Sequence, residues 1–560
     1  MSIASIKSDH VKKHALLNQV KSVSATTAAK DQSLGERNWV FASLLIILVG
    51  ASLRLYKLNL VPFHHDEGVN GNFLVHLVRD GVYHYDPANY HGPTLYYFAA
   101  LIPWTLRALF GAAIRDSYGL TSVTARLVPA LFGLGTIWLV LILRRWIGSV
   151  AALSAAALLA VSPGAVYLSR YFIHETLFVF FTLGIVVGAL TFFEEGHPIY
   201  LILTAASAAL LFATKETAII SVGVLVIAFA ITQIYTRFIR KSSGASPKRK
   251  RRTRGSGENP TILQTLIERS GGPGKLMLWL LAAAAVFIGL NVIFYSSFFT
   301  YWHGVVDSLK TFQFWTKTGK EAHVHSLTTY MYWLLQQESP LLFLGITGAA
   351  LVVWRPANTF ALFSALWAFG LIAAYSLIAY KTPWLTLNFI VPLALISGHV
   401  FQVLYDAGRA QLRLVVVVGV IALGINGYQT IDLNFFNYDN DDAYYVYVYA
   451  HTRRELLQLL QEIDRISQQS KEGALTGITI VSPDYWPLPW YLRDYTRVGY
   501  YGQMVDSHER IIIASESQGA EAQTRFGSRY EQVRSNPIGA GSYPLRPGVN
   551  LLLYVRRDSP

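Results

Sequence analysis

The stretch TARLVPALFGLGTIWLVLILRRWIG, residues 124–148, decides the fold class. It contains most of an apolar run over residues 122–143, and about 20 such residues suffice to cross the hydrocarbon layer of a bilayer. Arg144 and Arg145 follow the run at once. Because basic residues collect in cytoplasmic loops, this end of the predicted membrane helix is expected to face the cytoplasm.

The composition of the whole chain agrees with a membrane protein. Of its 560 residues, 52% are hydrophobic and only 14% are charged, which excludes an ordinary soluble globular protein. We attribute the net charge of +13 to cytoplasmic loops rather than to nucleic-acid binding. The chain has no cysteine, which excludes disulfide bonds, thiolate metal sites and a cysteine nucleophile.

Eleven apolar segments are predicted to cross the membrane. They cover residues 38–58, 122–143, 149–168, 173–193, 198–214, 217–236, 275–297, 340–354, 357–379, 384–402 and 412–427. A further stretch over 95–110 contains Pro103 and Arg107, and we expect it to lie flat in the interface. Only with that choice do all strongly basic loops, including residues 247–254, fall on the cytoplasmic side.

The predicted fold is therefore a polytopic α-helical membrane protein with about eleven transmembrane helices, interfacial helices and a small C-terminal α/β domain. The predicted parts are a disordered cytoplasmic tail (1–37), a multi-span domain (38–430) with a basic cytoplasmic loop (236–274), and an extracytoplasmic domain (431–560). Within the last part we predict a linker (435–452), an amphipathic helix (453–468) and strands at 477–482, 510–515 and 551–557. It contains neither a nucleotide-phosphate loop motif nor a Rossmann fingerprint.

Five polar clusters fall at helix ends on the same predicted side, the outer one. They are HHDE (64–67), YHGP (90–93), SRYFIHET (169–176), TKET (214–217) and YKTPW (380–384). An ionisable side chain at membrane depth costs about 2.5–3.5 kcal/mol on insertion scales, so such groups usually face a cavity or a partner. The five clusters therefore predict one site on the outer face.

Asp66 and Glu67 are the candidate catalytic residues of this site. A carboxylate beside the bilayer can accept a proton from an incoming hydroxyl or amide, although an acidic pair is more commonly just solvated. Glycoside hydrolases need two carboxylates because the leaving alcohol must be protonated. A sugar on a lipid phosphate instead leaves as a phosphate monoester, whose second pKa is about 6, so a single base is enough.

A phosphate donor needs cations, and Arg170, Lys215 and Lys381 lie at the predicted outer helix ends. Arginine in particular suits bidentate phosphate binding. The alternative for each cation is snorkelling to lipid headgroups or positioning a helix end. Glu175 either pairs with Arg170 or orients the acceptor.

His65 and His91 of the clusters, together with Tyr96 just after the second cluster, are predicted to line the site. A divalent cation held by Glu67, His91, His323 and His325 is left open, because the sequence contains no compact metal motif such as His-Glu-x-x-His. No cofactor is therefore predicted firmly.

At these residues the sequence resembles the C-type (GT-C) membrane glycosyltransferases, namely the protein mannosyltransferase and aminoarabinose transferase superfamily, glycosyltransferase family 39-like. The motifs that carry the resemblance follow one another in the family's order: DE (66–67), HGPTLYYF (91–98), residues 124–148, SPGAVYLSRYFIHETLFVFF (162–181) and LFATKET (211–217). KTPWLTLN (381–388) and PWYLRDY (489–495) are similar to a prokaryotic branch, the flippase-activity-associated proteins of archaeal N-glycosylation.

The resemblance implies transfer of mannose or another hexose from a polyprenyl-phosphate donor to a protein or glycolipid acceptor. It implies an outer-face site in the plasma membrane, with Asp66 as the base. Arg170 and Glu175 correspond to the family's Arg-x-x-x-Asp-like element, with Glu in place of the commoner Asp, and Lys215 and Lys381 match its basic positions. The alternatives are a lipid-linked oligosaccharide flippase or an accessory to one, a structural subunit, and an oligosaccharyltransferase, which differs in its pyrophosphate-linked donor.

Overall fold

The computed structural model describes residues 34–87, 91–111, 119–242, 261–318, 324–354, 358–533 and 541–557. The predicted cytoplasmic tail, apart from its last four residues, and the basic run 247–254 lie outside the described residues, as do Tyr90 and His323. The predictions made for them stay predictions.

The membrane domain is built from helices joined by short turns. They are α1 (Glu36–Leu55), α2 (His65–Arg79), α3 (Thr94–Phe110), α4 (Ser122–Ile142), α5 (Arg144–Ile147), α6 (Ser149–Ala160), α7 (Pro163–Ser169), α8 (Glu175–Glu195), α9 (Pro198–Phe212), α10 (Ala218–Ser242), α11 (Ile262–Arg269), α12 (Pro273–Tyr295), α13 (His303–Thr318), α14 (Thr329–Gln337), α15 (Ser339–Trp354), α16 (Thr359–Leu377), α17 (Leu387–Asp406) and α18 (Arg409–Ile431). A 3₁₀ turn (Pro383–Thr386) precedes α17, and a π-helical turn (Asp432–Phe436) follows α18.

Within the described ranges, eight helices are long and apolar enough to cross a membrane: α1, α4, α8, α10, α12, α16, α17 and α18. The bent pairs α6–α7 (61°) and α14–α15 (114°) raise the number to ten, and α9 is a shorter apolar helix of 15 residues. These elements match the eleven predicted segments, so the chain is a multi-pass membrane protein. Helix α3 is not among the membrane-length helices, and its flat orientation stays a prediction.

The break between α6 and α7 positions the loop that follows α7. The Ser162 hydroxyl accepts a hydrogen bond from the backbone N–H of Ala165, and Pro163 occupies the first position of α7, where its missing N–H costs no hydrogen bond. The guanidinium of Arg54 donates to the carbonyls of Leu159 and Ala160 at 3.1 and 3.0 Å. The carbonyls at the end of α6 are thereby satisfied inside the bundle, as a lipid environment requires.

Helix α17 lies at the centre of the bundle, since 89% of its apolar window is buried, against 17% for α1 and 11% for α12. Small residues allow the close contacts that membrane helices favour. A Cβ atom on Gly398 of α17 would lie 2.3 Å from the Ala151 carbonyl oxygen in α6. The outer helices are left with large exposed apolar faces, which fits contact with lipid.

The C-terminal domain is a mixed sheet with helices, as predicted. Its elements are α19 (Leu456–Gln469), β1 (Ile478–Ile480), α20 (Leu488–Tyr491), β2 (Val498–Tyr500), β3 (Ile511–Ser515), α21 (Gly519–Phe526), β4 (Tyr530–Gln532), β5 (Tyr543–Arg546) and β6 (Val549–Arg556), with 3₁₀ turns at Gly473–Leu475 and Glu516–Gln518. The strand order is β2-β1-β3-β6-β4, and β5 also pairs with β6. Strand β1 is parallel to β2 and β3, and all other pairs are antiparallel.

The predicted helix and the three predicted strands are confirmed as α19, β1, β3 and β6. Strands β2, β4 and β5 were not predicted. They are three or four residues long, which is too short for an alternating pattern to be distinguished from a loop.

The segment 437–452, part of the predicted linker, packs against the membrane domain. Tyr447, Val448 and His451 are buried. The Tyr447 hydroxyl lies 3.2 Å from that of Thr386, and His451 Nδ1 lies 3.1 Å from the Tyr167 hydroxyl. We refer to residues 437–452 as the strap, because it crosses the end of the bundle before the C-terminal domain begins.

The C-terminal domain also contacts α2 directly. Phe63 stacks on Trp490 with ring centroids 4.6 Å apart, and a Cβ atom on Gly71 would lie 2.5 Å from the Trp490 ring. Arg79 donates to the Arg493 carbonyl at 2.7 Å and pairs with Asp494. The motif PWYLRDY is therefore the part of this domain that holds α2.

Candidate functional site

The loops that carry the predicted clusters meet at one end of the bundle. Gly92 and Thr214 are joined by a backbone hydrogen bond of 3.0 Å, and His174 Nε2 lies 3.0 Å from the Gly92 carbonyl. The Asn70 side chain donates to the Phe172 carbonyl at 2.9 Å. The backbone N–H of Phe172 donates to Glu67 Oε1 at 2.8 Å, which joins the first cluster to these, and the ring of Trp384 in the fifth cluster meets that of His64 at 6.4 Å.

Asp66 lies in the first turn of α2, in a position set by His64. His64 Nδ1 accepts a hydrogen bond from the backbone N–H of Asp66 at 3.1 Å, and its Nε2 lies 3.0 Å from the Tyr449 carbonyl in the strap. Burial lowers the pKa of His64 to about 4, so the ring is neutral and carries its proton on Nε2. The Asp66 side chain keeps 39% of its surface exposed, which leaves its carboxylate accessible to a ligand.

The carboxylate of Asp66 is surrounded by other ionisable groups. Burial raises the pKa of Asp66. His65 opposes this shift, and Glu175 adds to it. His91 and Lys215 also favour the ionised form. Asp66 thus combines partial exposure with a raised pKa, the combination expected of a general base.

Glu67, the neighbouring residue, has a different environment. It is fully buried and accepts hydrogen bonds from Arg126 Nε at 2.7 Å and Nη2 at 2.5 Å. It also accepts the backbone N–H groups of His64 (3.0 Å) and Phe172 (2.8 Å). Both of its oxygens are thus occupied within the protein, so the structure supports a structural role for Glu67 rather than the catalytic or metal-binding role considered from the sequence.

Lys215 and Glu175 form a buried ion pair with Nζ and Oε1 2.5 Å apart. Burial alone would lower the pKa of Lys215, but Glu175 and Glu216 outweigh it and raise the pKa above its ordinary value. The lysine therefore stays charged. Glu175 pairs with Lys215 and not with Arg170, the partner considered for it from the sequence.

A second pair lies beside the first. His91 Nδ1 is 2.8 Å from Glu216 Oε2, and the ring of His174 meets that of His91 edge to face at 5.3 Å. Burial would raise the pKa of Glu216, but His91 and Lys215 outweigh it and lower the pKa. Burial, His91 and Lys215 all lower the pKa of His174. Glu216 and His174 were not singled out from the sequence, although both belong to the predicted clusters.

Tyr380 is a further ionisable group that interacts with the charges of the site. Burial raises its pKa to about 12, Lys215 opposes the shift, and Asp66 and Glu175 add to it. At neutral pH Tyr380 is therefore a hydroxyl group that can donate a hydrogen bond.

Arg170 and Lys381 have partners other than a phosphate. Arg170 donates to the carbonyls of Leu53, Tyr56 and Lys57 at 3.1, 2.6 and 2.9 Å, which satisfies the end of α1. Lys381 Nζ donates to the Ile378 carbonyl at 2.5 Å, at the end of α16. These contacts match the alternative role of such cations, positioning a helix end.

The remaining predicted residues border the site or lie behind it. Tyr96 is fully buried and donates to Asn70 Oδ1 at 2.9 Å. His65 Nδ1 lies 3.3 Å from Arg546 Nη1 of β5, so His65 connects Asp66 to the C-terminal domain. His325 donates its backbone N–H to the Ala379 carbonyl, and its ring packs on Trp333.

The metal site left open by the sequence does not form among the described residues, which contain no group of three His, Asp or Glu side chains suitable for a metal ion. Glu67 is bonded to Arg126, and His91 is bonded to Glu216. His323 lies outside the described residues.

Comparison with known proteins agrees with this architecture. The family described as dolichyl-phosphate-mannose-protein mannosyltransferase matches residues 99–245, about a quarter of the chain, which includes His174, Glu175, Lys215 and Glu216. No curated protein matches the sequence.

Two kinds of solved structure share the fold. The oligosaccharyltransferase AglB of Archaeoglobus fulgidus, in complex with an inhibitory peptide and a dolichol-phosphate, has a TM-score of 0.53 and 12% identity over 93% of this chain and 75% of its own. ArnT of Cupriavidus metallidurans, in the apo state, has a TM-score of 0.53 and 15% identity over 93% of this chain and 98% of its own. The chain therefore shares the fold of AglB and ArnT, and residues 99–245 are similar to the protein mannosyltransferase family.

Proposed function

We propose that the protein is a membrane glycosyltransferase that moves a hexose, with mannose as the first candidate, from a polyprenyl phosphate to an acceptor. The acceptor is a protein or a glycolipid, and the reaction inverts the anomeric centre. We assign the site to the extracytoplasmic face of the plasma membrane, on the charge pattern of the loops. In this assignment the cytoplasmic tail and the basic loop 236–274 lie on the opposite side.

The observation that carries the proposal is the difference between two adjacent carboxylates. Asp66 has 39% of its side chain exposed, whereas that of Glu67 is fully buried against Arg126. A single open carboxylate beside fixed positive charges suits a reaction that needs one base and a stabilised anionic leaving group. It does not provide the pair of open carboxylates that hydrolysis of a glycoside requires.

In this mechanism Asp66 accepts the proton of the acceptor, and the lipid phosphate carries away the negative charge. An oxygen of Asp66 takes the proton of the acceptor hydroxyl or amide as that atom attacks the anomeric carbon. The bond from that carbon to the phosphate oxygen breaks, and the lipid phosphate leaves with the electron pair. Attack from the face opposite the phosphate inverts the centre.

We assign Lys215 to the leaving phosphate, because it keeps its charge in the pair with Glu175, and His91, which is paired with Glu216, lies beside it. Tyr380 can donate a further hydrogen bond. Arg170 and Lys381 support the site by holding the ends of α1 and α16. The proposal thus keeps Lys215 from the set of cations expected from the sequence and gives the other two a positioning role.

The comparisons support the chemical class. The matching family is named for a dolichyl-phosphate-mannose donor. The oligosaccharyltransferase that shares the fold was solved with an inhibitory peptide and a dolichol-phosphate. Both descriptions name a polyprenyl phosphate. The sugar and the acceptor are to be identified by experiment.

The test compares wild type, Asp66→Asn and a matched control, Asp80→Asn, at the far end of the same helix. Asp80 is exposed and pairs with His76, so its substitution makes the same chemical change away from the site. Membranes with equal protein receive labelled polyprenyl-phosphate mannose or glucose. We expect Asp66→Asn to reduce transfer of label by about 100-fold, the scale of losing a general base, and Asp80→Asn to leave it unchanged.

Equal transfer by wild type and Asp66→Asn would remove Asp66 as the base. If neither protein transfers label but both move a lipid-linked oligosaccharide across proteoliposomes, the flippase hypothesis replaces the transferase.

A further inference from the structure

A basic groove of about 810 Å³ lies on the C-terminal domain, along the outer edge of β4. Four arginines line it, Arg465 from α19, Arg510 just before β3, and Arg556 and Arg557 at the end of β6. Glu531 also lines the groove and contributes a carboxylate. We call this feature the basic groove.

The positive charge of the basic groove is only partly balanced. Arg465 is bonded to Glu462, with Nε 2.9 Å from Oε2. Arg556 donates to a neutral group, the His508 carbonyl, and both Arg556 and Arg557 are exposed. Guanidinium groups in this arrangement favour an anionic ligand, above all one with planar carboxylates.

The backbone of β4 adds a second feature. Arg557 donates its N–H to the Arg529 carbonyl at 3.0 Å, and Val533 donates its N–H to the Leu553 carbonyl at 2.9 Å. Alternate residues of an antiparallel strand direct their backbone groups to the same side. The N–H and C=O groups of Tyr530 and Gln532 therefore point away from β6; Tyr530 is buried, whereas Gln532 is partly exposed and lines the basic groove. A strand edge that is open at such a position can pair with an added strand.

The basic groove lies far from the membrane domain. Arg546 contacts His65 and pairs in the sheet with Val549, the first residue of β6. Arg556 is the last residue of that strand, seven residues further on, which corresponds to about 23 Å at about 3.3 Å per residue. This distance separates the basic groove from Asp66 and disfavours a lipid headgroup as the ligand.

We infer that the basic groove binds an acidic segment of a partner polypeptide, which adds as an extended strand beside β4 and places its carboxylates on Arg556 and Arg557. That this polypeptide is also the sugar acceptor rests on the proposed function. The binding itself does not depend on the proposed function.

The test measures binding of a fluorescent peptide to the full-length protein in nanodiscs. The probe alternates Glu and Thr over about twelve residues, enough to extend beyond β4 at both ends. A second probe alternates Glu and Pro, which keeps the charge but removes every other N–H that a strand needs. We expect saturable, salt-sensitive binding of the first probe, and binding at least about tenfold weaker for the second.

Two variants separate charge from strand pairing. Arg556→Glu with Arg557→Glu should weaken binding by about tenfold or more, since two attractive charges become repulsive. Arg497→Glu, before β2 at the opposite edge of the sheet, is the control and should leave binding unchanged. Gln532→Pro removes an N–H that does not face β6, so it should abolish binding while the sheet remains, and Gln532→Ala should bind normally.

Equal affinity for the two probes would overturn strand addition, and full affinity of the double arginine variant would overturn the assignment of the basic groove. The assignment of the basic groove is also overturned if the Glu–Thr probe does not bind, or if heparin fragments or phosphatidylglycerol vesicles bind the basic groove more tightly than the peptide. Thermal unfolding of each variant verifies that it is folded. Failure of the wild-type protein to bind the Glu–Thr probe while it transfers sugar counts against this inference alone, whereas probe binding by a wild-type protein that transfers no sugar counts against the proposed function alone.

Discussion

Removing the partner of Lys215 should affect stability and catalysis in separable ways. Nζ of Lys215 and Oε1 of Glu175 are 2.5 Å apart, and their side chains are only 5% and 3% exposed. Glu175→Gln leaves an ammonium buried without its closest counter-charge, and breaking a buried pair in this way costs about 3–5 kcal/mol. We expect the lower end of this range, because Glu216 also stabilises the Lys215 charge.

The double variant Glu175→Leu with Lys215→Met removes both charges at similar volume. Replacing a whole buried pair by apolar residues is often neutral or stabilising, so the double variant should recover most of the stability lost in Glu175→Gln. Sugar transfer should not recover, because the cation assigned to the leaving phosphate is gone. Glu175→Gln should therefore lower stability, whereas the double variant should keep most of the stability and lose sugar transfer.

Stability is measured by denaturant unfolding in micelles, and transfer by release of label from the lipid donor. If the double variant transfers sugar at the wild-type rate, Lys215 has no part in stabilising the phosphate. If Glu175→Gln unfolds like wild type, the ion pair contributes too little for the reasoning to hold.

Three further predictions follow from contacts of the site. Asp66 has a raised pKa and must be ionised to act as the base. Sugar transfer should therefore fall as the pH decreases, and the fall should begin at a higher pH than the pKa of an ordinary aspartate would give. A pH–rate profile without such a fall would contradict this prediction. Glu67→Gln should destabilise the protein by about 3–5 kcal/mol, because it leaves Arg126 without its counter-charge, and a variant as stable as wild type in unfolding assays would refute the structural role. Gly71→Val should loosen the C-terminal domain and increase its cleavage by protease, because a Cβ there would lie 2.5 Å from Trp490, whereas Gly223→Val, in open space, should not.

The meeting of the five clusters was predictable from sequence, because charge in the loops fixes the side on which each helix ends. The different environments of Asp66 and Glu67 were not deduced from it, since residues 64–67 were treated as a loop end. In the structure His64 is the N-cap of α2 and Glu67 the third residue of a capping box. A capping residue followed three positions later by Glu is a known signal for such a helix start, and it could have separated the two carboxylates.

The helix end that Arg170 holds could not be obtained from sequence, although positioning a helix end was the alternative considered for this residue. Arg170 donates to the Leu53 carbonyl, 117 residues away along the chain, and no local pattern encodes which distant helix end a long side chain reaches. Glu216 and His174 were within reach of sequence reasoning, because they flank Lys215 and Glu175 in the quoted clusters.

The strap has a consequence for how the protein is made. His64 holds Asp66 in place, and its own partner, Tyr449, follows 385 residues later. At a synthesis rate of about 5–20 residues per second, about 20–80 s pass before that partner leaves the ribosome. Asp66 therefore stays without this support until all helices of the membrane domain, which end at Ile431, have been synthesised, so the geometry around Asp66 is completed late.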